Sequence, residues 1–366
     1  MPSSWLRALH RQVRDRVEGA ATEPDLWLGR NVIVIDGSSV SMPDTPENQS
    51  SYPQPKAQKP GCGFPVARLL AAFSLATGVM TEIAWDALRV GERSLFRRIL
   101  DRLKKGDVVL ADRGFSGYAD YWILMQKGID CVMRNHQRRT RSLREVKRLG
   151  RGDRIVLWIK PERRLKWMDR ESWEAMPGTL RLREISFQVE VPGFRTKSIT
   201  VTTTLLDEKT YPTHSFVDLY RRRWLAELFL RDIKISLGMD VLRCKTPEMV
   251  NKEIWMHVIA YNLIRALIFE AAAKHGVAIY RISFKGTAAS VRQWEARIAV
   301  IGAVRKKKEA IKMLLLCLAK DLVSERPNRS EPRALKRRMK NYQLLTKPRG
   351  IFQECPHRSR YKKGLT

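Results

Sequence analysis

The stretch "YRRRWLAELFLRDIK", residues 220–234, carries polar side chains at a spacing that directs the interpretation of the whole chain. It contains no Gly or Pro and is rich in good helix formers, which predicts one continuous helix. Its notable positions, at offsets of zero, three, seven and fourteen residues, are Tyr220, Arg223, Glu227 and Lys234. At about 100° per residue they fall within a sector of roughly 60°, so a phenol, a guanidinium, a carboxylate and an ammonium share one stripe.

Two interpretations of this helix compete. Trp224, Leu228 and Ile235 have the character of core positions, which would place the polar stripe beside a buried face. The alternative is a solvated amphipathic helix with incidental charges, since charged faces are common on helices. Acidic residues elsewhere in the chain favour the first interpretation.

Two of these acidic residues share one sequence context. Asp36 in "VIVIDGSS" and Asp112 in "VVLADRGF" each end a run of aliphatic residues, and each is followed within two residues by Gly. If the two runs are neighbouring strands of one sheet, their ends bring both carboxylates together, where α/β proteins build sites. The alternative is that each Asp only begins a turn, because Asp and Gly are common turn residues.

Three gathered carboxylates need a neutralising partner. Asp36, Asp112 and Glu227 would repel one another, and a divalent metal is the simplest solution. Oxygen ligands without His or Cys at ligand spacing indicate Mg²⁺, for which Mn²⁺ can substitute, rather than zinc. Two such ions about 3.5–4 Å apart form a site for in-line phosphoryl transfer.

The charge balance indicates a polyanionic partner. The 366 residues contain 69 Lys plus Arg against 38 acidic residues, a formal net charge of +31. Nucleic acid is the first partner this predicts, an anionic membrane surface the second, and a merely solvated basic surface the plain alternative. The chain has five cysteines without a CxxC pair, and it has no signal-peptide core. We therefore expect reduced thiols in a cytoplasmic, nucleoid-associated protein without a membrane span.

The order of predicted elements is strand, strand, strand, helix, strand, helix, strand, which is a mixed α/β sheet flanked by helices.

From residue 134 to residue 166 there are thirteen Lys or Arg and three acids, and β-like runs follow within a predicted β-rich insertion. Arg134, Arg138 and Arg139 in this segment are predicted to bind DNA because of the local charge excess, and the alternative is that they only solvate a loop. The predicted divisions are a helix and linker at 1–30, a catalytic core at 31–133 and 206–290, the insertion at 134–205, and a helical, basic region at 291–366.

At this point the motifs match a known family. The Y-x2-R-x3-E-x6-K spacing is similar to the signature of the insertion-sequence-4 family of bacterial DDE transposases, and the two aspartate motifs resemble its first and second. "AYNLIRAL" and the segment from Tyr220 to Trp255 also resemble its members. The resemblance covers roughly residues 30–275 of the chain.

The resemblance implies an RNase H-like fold interrupted by a β-strand insertion domain. It implies cut-and-paste transposition, in which transposon ends are cleaved, pass through a hairpin and are joined to target DNA. Asp36, Asp112 and Glu227 would be the metal ligands, with Tyr220, Arg223 and Lys234 holding the DNA end. Double-stranded DNA, as terminal inverted repeats and target, and a second copy of the chain would be the partners.

The resemblance also implies a tryptophan in the insertion that supports a flipped base. The candidates are Trp158, Trp167 and Trp173. Each also has the alternative of being a core residue, which is the usual place of Trp.

Other functions fit part of the same pattern. An RNase H-like nuclease or resolvase would share the carboxylates and the charge but would cut without strand transfer. A truncated, non-transposing DNA-binding derivative is the third hypothesis, and it predicts the loss of a carboxylate, whereas all three are present. Only 35 residues precede Asp36, so we expect weakened recognition of terminal repeats.

Overall fold

The structure is a computed structural model that describes residues 2–135, 143–188, 198–324, 347, 348 and 351. Its centre is one mixed sheet with the strand order β3-β2-β1-β4-β5-β9-β8-β7-β6. The strands are β1 Val32–Ser41, β2 Val66–Ser74, β3 Met80–Ala87, β4 Val108–Ala111, β5 Asp130–Arg134, β6 Leu143–Gly150, β7 Asp153–Ile159, β8 Thr179–Gln188 and β9 Ser198–Thr203. Strands β1, β4 and β5 run parallel to one another, and the remaining neighbours pair antiparallel.

Helices cover both faces of this sheet. They are α1 Ser3–Glu18, α2 Pro46–Ser51, α3 Glu92–Ile99, α4 Tyr118–Gln126, α5 Arg170–Ala175, α6 Thr213–Arg222, α7 Trp224–Arg231, α8 Pro247–His275, α9 Phe284–Ala299 and α10 Val304–Lys320. Alternate residues of β1 enter two cores: Val34 joins the core with α6, α7 and α8, and Ile35 joins the core with α3 and α4. Burial on both faces explains why β1 begins as an unbroken aliphatic run.

The predicted order of elements from β1 to β5 is confirmed apart from α2, and β6 and α5 of the predicted insertion were not predicted either. The proline-rich loop after β1 contains α2, because the Thr45 side chain accepts the Asn48 N–H and Pro46 occupies the first turn. Strand β6 was missed because its side chains are mostly charged and exposed, so it lacks an alternating apolar pattern.

The predicted insertion contributes four strands to the same sheet as the core. Strand β9 pairs antiparallel with β5, so that Met133 lies opposite Thr202, and β8, β7 and β6 continue outward from β9. The hydrogen-bonded strand pairing therefore continues without a break from β1, through β4 and β5, to the four strands of the predicted insertion. The predicted domain boundaries stay predictions.

Helix α8 is the longest helix of the described residues and passes through the middle of the core. The Thr246 side chain accepts the Met249 N–H at its start, and Gly276 ends it with a φ of 64°, a left-handed conformation suited to Gly. By length and composition alone α8 could cross a membrane, but 61% of its most apolar window is buried inside the protein. Its apolar character is accounted for by packing against the sheet and α1.

Candidate active site

The parallel strands bring three charged residues to one level of the sheet. Strand β1 pairs with β4 so that Val34 lies opposite Leu110, and continuing that register by two residues puts Asp36 beside Asp112. Strand β4 pairs with β5 so that Ala111 lies opposite Met133, and one further residue puts Arg134 beside Asp112. Neighbouring strands lie about 4.8 Å apart, so the three residues form one row across the sheet.

All three side chains of this row belong to the face covered by α6 and α7. Side chains alternate between faces along a strand, and Val34, Leu110 and Val132 lie in the core on that side. Asp36, Asp112 and Arg134 each follow two residues later, so they share that face. The sequence analysis predicted that both strands end at the Asp; β4 does, but β1 continues to Ser41 because β2 remains as its antiparallel partner.

Each Asp also organises the backbone that follows it. Asp36 accepts the Gly37 N–H at 2.9 Å, and Asp112 accepts the Gly114 N–H at 2.7 Å. The turn-forming role considered for these residues is therefore real at Asp112. It does not exclude a chemical role, because each carboxylate has a second oxygen.

The stretch that carries Tyr220 to Lys234 is helical, as predicted, but two of its turns depart from regular α-helical hydrogen bonding. Helix α6 ends at Arg222, and Arg223 forms a tight turn in which its N–H donates to the Tyr220 carbonyl, three residues back, at 3.2 Å. Helix α7 follows, and then a π-helical turn at Asp232–Ser236 carries Lys234. π-helical turns are uncommon and are often found at functional sites.

Arg223 connects the helix to the sheet. Its Nη2 lies 2.7 Å from Glu227 Oε1, and its Nη1 lies 3.9 Å from Asp36 Oδ2. The guanidinium is 18% exposed, so this contact is largely shielded from water. Arg223 therefore holds the carboxylates of Asp36 and Glu227 around a single positive charge.

The Asp36 carboxyl is the most perturbed acid of the row. Its burial raises its pKa from 3.8 to about 6, while Arg223 and the Gly37 N–H oppose the rise and the nearby charges of Glu227 and Asp112 add to it. Burial disfavours the charged form and neighbouring carboxylates repel it. An acid in this position gains from any further cation that reaches it.

Tyr220 lies on α6, one of the helices that cover the face of the sheet carrying the row. Its side chain is buried and contacts the Phe187 ring edge-on, with ring centroids 6.4 Å apart. Burial raises the pKa of the Tyr220 phenol, with the charges of Arg223 and Arg134 acting in the opposite direction. Tyr220 thus lies within electrostatic range of Arg134 and Asp112 and remains a neutral hydroxyl at physiological pH.

Lys234 reaches the same end of β1 from the π-helical turn. Its Nζ lies 3.1 Å from Ser38 Oγ and 3.1 Å from Asp240 Oδ1. The following segment is fixed to β1 as well, since the Leu242 N–H donates to the Ser41 carbonyl at 2.8 Å. Lys234 is therefore held two residues beyond Asp36 along β1, by contacts that a stronger anion could replace.

Two residues predicted to be core are exposed. Trp224 is 50% exposed and Ile235 is 65% exposed, while Leu228 is half-buried. At about 100° per residue, Trp224, Leu228 and Ile235 share one side of the helix. The buried residues Ala226, Phe229 and Ile233 lie on the other side, so the prediction assigned the wrong face to the core. Trp224 thereby presents an indole face to solvent three residues from Glu227, a surface suited to stacking on a base.

The three predicted metal ligands are not assembled into a cage. Within the described ranges, no group of three or more His, Cys, Asp or Glu side chains is gathered closely enough to hold an ion. The reason is local, because the Glu227 carboxylate is turned toward Arg223. The donor set itself consists of carboxylate oxygens, which are the ligands that Mg²⁺ and Mn²⁺ prefer.

The sequence of the chain was compared with known families. The profile of the family described as "Transposase DDE domain" matches residues 27–263, well over half of the chain. The chain belongs to the DDE transposase family. The prediction of this family from the sequence motifs is thereby confirmed.

Relatives of this DDE transposase chain come from Escherichia coli. It is 28% identical over 258 residues to the transposase InsG for insertion sequence element IS4 from strain K12, a match that covers 69% of this chain and 55% of that protein. It is 37% identical over 65 residues to the transposase for insertion sequence element IS421, covering 18% of each. The chain thus spans about half the length of the first of these relatives.

One solved structure shows a distant similarity. The cryo-EM structure of a piggyBac transposase synaptic complex with hairpin DNA matches with a TM-score of 0.40 and 10% identity, covering 81% of this chain and 58% of that chain. At that level of similarity neither fold nor function transfers.

The three candidate tryptophans of this DDE transposase chain differ in exposure. Trp158 is 3% exposed and contacts the Tyr121 ring, so it is a core residue. Trp167 is 43% exposed and lies against the Arg97 guanidinium, 3.4 Å from the ring centroid. Trp173 is partly buried beside Lys160.

Of the predicted basic residues, Arg134 lies in the row beside Asp112. Arg138 and Arg139 lie outside the described residues.

Proposed function

We propose that this chain is a metal-dependent DNA transposase that cleaves transposon ends and joins them to target DNA by a cut-and-paste route. The observation that carries the proposal is the row of Asp36 and Asp112 on neighbouring parallel strands, with Glu227 linked to it through Arg223. Membership in the DDE transposase family supports it.

In this proposal Asp36, Asp112 and Glu227 are the catalytic residues and the ligands of Mg²⁺, for which Mn²⁺ can substitute. Bound divalent ions would activate the attacking oxygen and stabilise the leaving oxygen of a phosphodiester. The raised pKa of Asp36 supports a cation site, because buried, mutually repelling carboxylates gain most from added positive charge. Arg223 supplies part of that charge now and restrains Glu227 beside Asp36.

The neighbouring residues would bind the DNA end. Arg134, Arg223 and Lys234 are cations around the carboxylate row, and guanidinium and ammonium groups bind phosphate oxygens. The Tyr220 hydroxyl can donate to a phosphate from its buried position. Arg138 and Arg139 are proposed to extend this basic surface, in agreement with the net charge of +31.

The remaining expectations belong to the same proposal. The core at 31–133 and 206–290 would be an RNase H-like unit and 134–205 its β-strand insertion. The partners would be double-stranded terminal inverted repeats, target DNA and a second copy of the chain, in the bacterial cytoplasm at the nucleoid. An RNase H-like nuclease without strand transfer is the second candidate, because the same carboxylate row would serve both reactions.

The test is cleavage and joining of labelled DNA in Mg²⁺. The substrate is a duplex with the element's own terminal repeat, with a scrambled duplex and a supercoiled target plasmid beside it. Cleavage at the repeat boundary and joined products are expected. Cleavage without joined products would favour the nuclease, and salt-sensitive binding without cleavage would favour a non-catalytic derivative.

The Glu227→Gln variant tests whether the carboxylate site carries out the cleavage. It should abolish cleavage and leave DNA binding nearly unchanged, because the amide cannot supply an anionic metal ligand. Glu295→Gln, an exposed position of α9, is the matched control and should cleave like the parent protein. Cleavage by Glu227→Gln, or an equal loss of binding, would contradict the catalytic role.

A further inference from the structure

A second basic site lies away from the carboxylate row, at the free edge of the sheet. Strand β3 is the last strand on this side, and α1 runs along it. Between α1, β3 and α8 there is a cavity of about 270 Å³ whose walls carry four arginines. They are Arg7, Arg11, Arg14 and Arg102.

The cavity has a positive charge that its own acids do not balance. Glu82 is its one acidic lining residue, and it accepts Arg14 at 2.7 Å and Arg102 at 3.1 Å. His10 also lines the cavity, but burial lowers its pKa to about 4, so it is neutral at physiological pH and bonds to the Met80 carbonyl. Arg14 also pairs with Asp15 at 2.9 Å, so four arginines against Glu82 and Asp15 leave two positive charges at the opening.

Two of the arginines are available to a ligand. Neither Arg7 nor Arg11 forms an ion pair with another residue in the part of the chain that the structure describes. The Arg7 guanidinium lies over the Trp255 ring, 5.8 Å from its centroid, a cation–π contact that limits where it can point. Arg14, in contrast, is 15% exposed and held by Glu82, so it adds a fixed positive charge at the base.

Glu82 at the cavity lies on the other face of the sheet from the carboxylate row. Ile35, next to Asp36, lies opposite Ala72, and Ala72 lies opposite Glu82. Because side chains alternate between faces along a strand, Glu82 shares the face of Ile35, whereas Asp36 belongs to the face covered by α6 and α7. The cavity at the sheet edge is therefore a surface separate from the row.

We propose that this cavity binds a backbone phosphate of DNA at a site separate from the carboxylate row. The inference rests on the proposed function for the presence of DNA, and it adds a contact outside the row. Arg7 and Arg11 supply the contacts to the phosphate oxygens, and Arg14 and Arg102 supply the surrounding field. Guanidinium groups suit this ligand because their paired donors match phosphate oxygens.

The test measures DNA binding in metal-free buffer, where cleavage does not enter. Binding of a fluorescent 40-base-pair duplex is followed over a series of salt concentrations for the parent protein and Arg7→Ala/Arg11→Ala. Each phosphate contact contributes about 0.9 to the slope of log affinity against log salt, so the double variant should lower the slope by about 2. Arg7→Lys/Arg11→Lys, which keeps both charges, should restore most of it.

A matched control separates the cavity from the general basicity of the protein. Arg292→Ala/Arg297→Ala removes two exposed arginines of α9, and Arg297 lies over the Trp294 ring at 5.6 Å just as Arg7 lies over Trp255. The control should keep the parent slope. An unchanged slope for Arg7→Ala/Arg11→Ala, or an equal fall for both double variants, would overturn the proposal.

The position of the contact provides a second readout. The phosphates of the duplex are ethylated one at a time. Ethylation of one particular phosphate should weaken binding of the parent protein and leave binding of Arg7→Ala/Arg11→Ala unchanged. The absence of any such position would also overturn the proposal. If the parent protein binds with the expected slope and interference but never cleaves in Mg²⁺, the proposed function fails while the phosphate site stands.

Discussion

Replacing Asp36 by Asn should stabilise the metal-free protein even as it removes the proposed chemistry. The folded protein raises the pKa of Asp36 from 3.8 to about 6, mainly through burial, so ionising it costs folding free energy. Asn has nearly the same shape and can still accept the Gly37 N–H that Asp36 accepts at 2.9 Å. The substitution therefore removes the cost of the charge and retains the contact.

The magnitude follows from the two pKa values. A difference of about 2 units is worth about 3 kcal/mol at pH 7, because each unit corresponds to about 1.36 kcal/mol. Between pH 3.8 and about 6 the native state binds the proton that the unfolded state releases, so the parent protein loses stability as pH rises through that window. The advantage of Asn should grow from about 1 kcal/mol at pH 4.5 to about 3 kcal/mol at pH 7 and then stay constant.

Urea unfolding in EDTA, from pH 4.5 to pH 8, measures this difference. Asp218→Asn is the control, since its side chain is 70% exposed and the free energy of unfolding should change by less than about 0.5 kcal/mol. Excess Mg²⁺ should stabilise the parent protein and narrow the difference, because a ligand that binds only the folded state stabilises it. A variant less stable than the parent at pH 7 in EDTA would refute the assignment of a burial cost to Asp36.

Three further substitutions test the surroundings of the site. Arg265→Met should cost about 3–5 kcal/mol in urea unfolding, because it leaves the Asp232 carboxylate, now 2.6 Å from Arg265, buried without its partner. Gly37→Ala should cost no more than about 1 kcal/mol, because the new methyl group would lie 2.4 Å from the Glu92 carboxyl carbon, the end of a flexible side chain that can turn aside, and removing the Glu92 side chain should recover the loss. Lys234→Ala should lower the salt slope of DNA binding by about 1 if that ammonium contacts a phosphate.

Each of these has a matched control. Arg231→Met removes an arginine that is 62% exposed and 3.8 Å from Asp232, and its effect should be small. Gly91→Ala adds a methyl group where nothing lies within 4 Å. Lys274→Ala removes a lysine at the far end of α8 and should leave the salt slope unchanged. Equal effects in a variant and its control would contradict the corresponding argument.

The sequence was most informative where the local pattern and tertiary packing agree. Strands β1 and β4 could be predicted because burial on both faces demands continuous aliphatic residues, and their parallel pairing places Asp36 and Asp112 in one row. Spacing alone could not predict the tight turn at Arg223 or the π-helical turn. Both depart from the regular helical period. Trp224 was assigned to the core for its apolar character, although it lies on the side of the helix away from the buried Ala226 and Phe229.

Long-range contacts were beyond the sequence analysis for a different reason. The pairing of Arg223 with Asp36 and of Lys234 with Ser38 joins residues nearly 200 positions apart, and no local pattern encodes such partners. The arginine cavity was missed as well. Arg7, Arg11 and Arg14 share one face of α1 at helical spacing, but Glu82, Arg102 and Trp255, which complete the cavity, come from distant parts of the chain.

The pairing of β5 with β9 has a consequence for how the protein is made. Strand β5 is synthesised more than sixty residues before its partner, so the growing chain holds β5 as an open edge until β9 is available. Such edges invite association with other chains, and distant pairings slow folding. The last link to β1, from Leu242 to Ser41, closes later still. A chain released before β9 would therefore have both aspartates but neither Glu227 nor the β5–β9 pairing, so the proposed site forms only late in translation.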